Sequence, residues 1–127
     1  GTAVLAGNGA AVTTISHSQG TFLQECAATT VTCNSGTYTT RLTGALTAGT
    51  ITTLNVYGGL VYPESTGTIT TVIINAGLVD FSRNQVAKTI TNLKLNPGGS
   101  LIRDPAIHTI TNWTTPDYQL KLVASKP

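Results

Sequence analysis

A short phrase, Thr-Ile-Thr-Thr, opens at Thr50 and again at Thr68, and Thr89-Ile90-Thr91-Asn92 and Thr109-Ile110-Thr111-Asn112 repeat it with one change. Thr30-Val31-Thr32 is an earlier copy and Thr14-Ile15-Ser16 a weaker one. Counted from residues 30, 50, 68, 89 and 109, the copies lie 20, 18, 21 and 20 residues apart. A unit of about twenty residues cannot bury an apolar face by itself, so neighbouring copies must stack and share a core. That confines the chain to a solenoid.

Spacing within a copy selects strands. Leu54 and Val56 alternate with Asn55 and Tyr57, as in a half-buried strand. The gap of three between Ile51 and Leu54 predicts a bend at Thr52-Thr53, where inside and outside are reset. Gly58-Gly59, Gly77 and Gly98-Gly99 fall at matching places, where a second corner requires positive φ. The expected fold is therefore all-β, a single-domain parallel β-helix (β-solenoid) of about five to six rungs. Ile51, Ile69, Ile90 and Ile110 form one inward column, Leu54, Val72, Leu93 and Trp113 a second, and Val56, Ile74, Leu95 and Thr115 a third. Outside, Thr50, Thr68, Thr89 and Thr109 stack beside Thr52, Thr70, Thr91 and Thr111 as hydroxyl ladders. The extra residues at Pro63 to Thr66 and Arg83 to Lys88 loop outward.

The ends depart from the pattern. Residues 1–11, rich in glycine and alanine, read as an N-terminal arm that orders on a partner. Residues 12–115 are the coil, and 116–127 a C-terminal strand and tail in which Tyr118, Leu120 and Leu122 alternate, either capping the coil or pairing with a neighbour. Trp113, bulky in an aliphatic column, reads as a lid under the last rung. Gly1, Thr2, Ala3, Val4 and Leu5, with Tyr118, Leu120 and Leu122, are the candidate partner-binding residues.

Composition narrows the function. Only 9% of the 127 residues are charged, against about 25% in an ordinary soluble domain, and 25 threonines take up the polar role. A net charge of +2 without any run of lysine or arginine gives no footprint for nucleic acid or an anionic membrane. No apolar stretch is long enough to span a bilayer. Hydrolases and lyases built on parallel coils require converging carboxylates. The five acids here, Glu25, Glu64, Asp80, Asp104 and Asp117, form no such cluster, and Arg83 and Asp104 share an offset that suits a surface ion pair. No catalytic, cofactor-binding or metal-binding residue is expected. His17 and His108 lie far apart in the repeat and read as packing or surface residues rather than ligands. Cys26 and Cys33 are compatible with a disulfide and equally with two free thiols. Asn92 and Asn112 share an offset, which suits asparagine at a rung corner.

With Thr-Ile-Thr-Asn-Leu-Lys-Leu at 89–95, Gly98-Gly99, and Asp80-Phe81-Ser82-Arg83 ahead of Ala87-Lys88-Thr89-Ile90, the stretch 50–113 resembles the short β-helical structural proteins of tailed bacteriophages. It is similar in general to pectate-lyase-like coils but lacks their acidic cluster. The resemblance implies a non-enzymatic virion component, in particular a decoration or cement protein on the capsid exterior. It further implies a symmetric homo-oligomer, a trimer, bound to the major capsid protein or another shell protein. Two alternatives stand beside it. The Thr-x-Thr ladders resemble the ice-binding face of solenoid antifreeze proteins, and the coil also resembles part of a tail fibre or a carbohydrate-binding β-helix.

Overall fold

The structure is a computed structural model and describes residues 2–5, 11–25, 27–40, 51–64, 67–83 and 88–114. Among these residues every regular element is a strand. A short-strand sheet holds β1 (Thr2–Leu5), β3 (Thr21–Gln24), β5 (Thr37–Thr40), β7 (Leu60–Pro63), β9 (Gly77–Asp80) and β11 (Gly99–Ile102) in that spatial order. A long-strand sheet holds β2 (Ala11–His17), β4 (Ala27–Cys33), β6 (Ile51–Val56), β8 (Gly67–Ile74), β10 (Lys88–Leu95) and β12 (His108–Thr114). All pairings are parallel, and the chain alternates between the sheets, so each long strand and the short strand after it make one rung of a β-solenoid.

The inward columns follow from period-two strands that bend. Ile69, Ile90 and Ile110 stack in register, as do Val31, Leu54, Val72, Leu93 and Trp113, and next to them Cys33, Val56 and Ile74. The gap of three keeps both Ile51 and Leu54 inward. It does so as a bend inside a continuous strand, where the pairing of β8 with β10 passes from Ile69–Ile90 to Thr71–Asn92 and skips Thr70 and Thr91. Thr115 lies outside the described residues. From the other sheet, Tyr38, Val61, Val79 and Leu101 complete the core, with buried Phe81 behind them.

The turn from each long strand to the next short one carries a glycine at positive φ: Gly20 (79°), Gly36 (83°), Gly59 (79°), Gly77 (84°) and Gly98 (92°). Stacking adds a second constraint. A Cβ on Gly36 would lie 2.5 Å from Gly20 O, and one on Gly77 would lie 2.7 Å from Gly59 O. These corners approach one another because they hydrogen-bond rung to rung, Thr37 N–H donating to Gly20 O at 2.8 Å and Leu78 N–H to Gly59 O at 3.0 Å.

Three expectations change. Thr30 pairs with Thr53, not with Thr50, so that rung begins at Ala27, and Ala28 faces Ile51. The two alanines erase the Thr-Ile signature, while Thr30-Val31-Thr32 imitates it three residues later because both phrases alternate with period two. Next, Thr2–Leu5 is a strand parallel to β3, with Thr2 opposite Thr21, and Ala11 already belongs to β2; the segment read as an arm therefore contributes to the coil. Lastly, Pro63 and Lys88 are buried strand residues rather than parts of outward loops. The expected C-terminal strand, with Tyr118, Leu120 and Leu122, lies outside the described residues, as does Gly1.

Candidate binding faces

The two sheets present different chemistry to solvent. On the long-strand sheet, Thr13, Thr29, Thr52, Thr70, Thr91 and Thr111 occupy the outward position at the bend of the six described long strands, each lying between residues that pair. Strands are about 4.8 Å apart, so this is a continuous hydroxyl and methyl ladder. Thr14, Thr30, Thr53, Thr71, Asn92 and Asn112 run beside it. Asn112 donates from Nδ2 to Asn92 Oδ1 at 3.0 Å, which places both asparagines within strands as a ladder and not at a rung corner. The true corner ladder is Asn96 donating to Asn75 Oδ1 at 2.7 Å. Thr13 and Thr29 are hidden in the sequence because Val12 and Ala28 stand where later rungs carry the isoleucine of the Thr-Ile phrase.

The short-strand sheet is more apolar outside. Leu60 in β7 is 37% exposed and Tyr57, at the preceding corner, 53%; they are the large exposed hydrophobics among the described residues. Leu78 stands beside Leu60 on the next rung, and half-buried Tyr62 lies on the neighbouring outward column, where Thr39 separates it from Leu23 and Asp80 precedes Ile102. Beside this patch, Arg83 lies 4.0 Å over the Tyr62 ring and 3.4 Å from Glu64. Arg83 thus pairs with Glu64 rather than with Asp104.

The acids are occupied locally. Asp80 Oδ1 accepts from Ser82 N–H at 2.8 Å and from its hydroxyl at 2.6 Å, and Asp104 Oδ1 accepts from Ala106 N–H at 3.0 Å. Each of these carboxylates fastens its own turn. Among the described residues no group of three or more His, Cys, Asp and Glu side chains is placed to hold a metal ion. Among the described residues no helix is long and apolar enough to cross a membrane. Cys33 is a free, buried thiol whose Sγ donates to Ser35 O and Gly58 O at 3.6 Å. Burial pushes it above the usual thiol range, partly offset by the Ser35 hydrogen bond, so it is protonated and inert. Cys26 lies outside the described residues.

Both histidines are packed inside the coil. His17 Nε2 donates to Gly20 O at 3.0 Å, and its ring meets Phe22 and Tyr38, which stack at 5.1 Å. At the opposite end, Trp113 packs half-buried against the core under the Arg103 guanidinium, 5.3 Å from the ring centre. Burial depresses the Arg103 guanidinium from its ordinary value.

Lys88 is buried on the inward side of β10, and burial brings it down to about 8. Its ammonium is disfavoured in the folded state, so its contribution to stability is full only above the ordinary lysine value of about 10.4 and is lost as the pH falls through about 8. Raising the pH across that window should therefore move stability by about 3 kcal/mol in favour of wild type over Lys88→Met, measured by urea unfolding.

Of the candidate partner-binding residues, Thr2, Ala3, Val4 and Leu5 lie in β1, at the edge of the short-strand sheet, with Ala3 exposed. Comparison with protein-family models, curated proteins and solved structures returns no match.

Proposed function

We propose that the chain is a non-enzymatic structural protein of a phage particle, a decoration protein that binds and stabilises the outside of the head as a symmetric oligomer, most simply a trimer. The observation that carries this reading is the outer face of the short-strand sheet, where Leu60 stands exposed on a stiff stack with half-buried Leu78 and Tyr62 beside the Arg83–Glu64 pair. An apolar centre with a polar rim suits contact with another protein. Six strands of four residues cover only about 400 Å², below the roughly 800 Å² per partner of a stable interface. One copy would hold weakly, and a cluster of linked copies would hold through avidity. The shell is the major capsid protein or another head protein. The edge strand β1 lies on the same sheet, so Thr2 to Leu5 extend the contact.

Deleting residues 1–11 would remove β1, so point variants are the cleaner test. Leu60→Glu, at an exposed site, should leave the fold intact and weaken co-sedimentation with undecorated heads at least tenfold, while Thr70→Glu on the other sheet should not. Unchanged binding of Leu60→Glu, or failure of the intact protein to bind heads, would overturn the proposal.

A second reading rests on the six-threonine ladder: an ice-binding face that orders water along the long-strand sheet. It expects thermal hysteresis in the intact protein, abolished by Thr70→Tyr and Thr91→Tyr. Absence of any effect on ice growth removes it.

A further inference from the structure

We propose that β11, β12 and the turn between them form an acid-sensitive end of the described coil, and that His108 is the group that opens it. His108 is 0% exposed, and its Nδ1 accepts the backbone N–H of Asp104 at 2.8 Å. A ring nitrogen that accepts carries no proton, so the ring is neutral in the closed rung. A second proton would set a donor against the Asp104 N–H and place a positive charge inside the core.

The groups around His108 make that charge unwelcome. On β10, Lys88 is its register partner and is buried. From the turn, Arg103 donates to His108 O at 2.8 Å. Phe81, following β9, faces the ring at 5.6 Å. The acid within the turn is Asp104, whose Oδ1 accepts from Ala106 N–H, while its backbone oxygen accepts from Ile107 N–H at 3.1 Å and His108 N–H at 2.8 Å. Asp104 thus gathers the turn by accepting from three backbone N–H groups, while its own N–H is its one bond to the ring, and protonating Nδ1 breaks that bond.

β11 and β12 are edge strands of the described sheets, as β1 and β2 are at the other end. Each has one neighbour among the described strands, and Arg103 Nε and Trp113 Nε1 are buried without a hydrogen-bond partner among the described residues. His17, at the other end, donates through Nε2 to Gly20 O, so the acceptor role of the His108 ring is not repeated there.

The sign follows from linkage. An exposed histidine takes up its proton near a pH of about 6.5; the closed rung resists it and the open rung does not, so opening binds a proton and is favoured as the pH falls, up to about tenfold per unit below about 6.5. Above that range both states are neutral and the rung is fully held.

Hydrogen exchange on the full chain, corrected for intrinsic rates, tests this between a pH of about 7.5 and one of about 5. The expected result is a loss of protection of at least tenfold confined to residues 99–114, with β6 and β8 unchanged, and a flat response in His108→Asn, whose side-chain oxygen can accept the same N–H. Should that variant not fold, the wild-type ring decides by NMR. Protonation of His108 only together with exposure of the 103–108 amides supports the proposal. Protonation near the ordinary histidine range with those amides still protected overturns it, as does uniform loss of protection along the coil.

Discussion

Gly77→Ala should cost about 2–5 kcal/mol, and Gly98→Ala only about 1–2 kcal/mol, although both glycines turn the same corner on neighbouring rungs. Both have positive φ, 84° and 92°, and alanine in that region carries about 1–2 kcal/mol of strain. They differ in what stands behind them. A Cβ on Gly77 would lie 2.7 Å from Gly58 C and Gly59 O, backbone atoms of the preceding rung's corner, where Gly59 O accepts from Leu78 N–H. On Gly98 the nearest atom, Asn75 O, would be 3.3 Å away. Overpacking against fixed backbone adds about 1–3 kcal/mol, so urea unfolding should separate the variants. Equal losses would show that the corners do not stack as described.

Ile90→Ala is expected to cost about 2–5 kcal/mol, as for other large-to-small changes in a full core. Ile90 is fully buried between Ile69 and Ile110, so its removal leaves a cavity lined from two sides. Ile110→Ala, on the half-buried last rung, should cost less than half as much, because solvent or a small shift can fill the space. A loss below about 0.5 kcal/mol at Ile90 would place it outside the core.

Much of this coil was legible because its inward and outward patterns are chemically distinct. The isoleucine column, the leucine and valine column beside it, and the glycine corners at 59, 77 and 98 follow from spacing alone. The early rungs were obscured because Ala27 and Ala28 substitute for Thr-Ile, and a period-two phrase cannot report a shift on its own. Their glycines, Gly20 and Gly36, held the correct phase. β1 was read as an arm because Thr-Ala-Val-Leu has no repeat signature; its place comes from backbone pairing with β3, which short strands of any composition can supply. The apolar outer face was hidden for a related reason. Leu60 and Leu78 follow a corner glycine and look like core residues until the strand's inward positions, Val61 and Val79, are identified. The histidines needed coordinates, since a buried imidazole and an exposed one share a sequence context.

The most direct measurement of the proposed head-binding role is a cryo-electron microscopy reconstruction of undecorated phage heads with and without the protein added. The account predicts symmetric clusters of coils on the outer surface with Leu60 of the short-strand sheet against the shell and the threonine ladder facing solvent. Bare heads, or coils lying with Thr52, Thr70 and Thr91 on the shell, would contradict it.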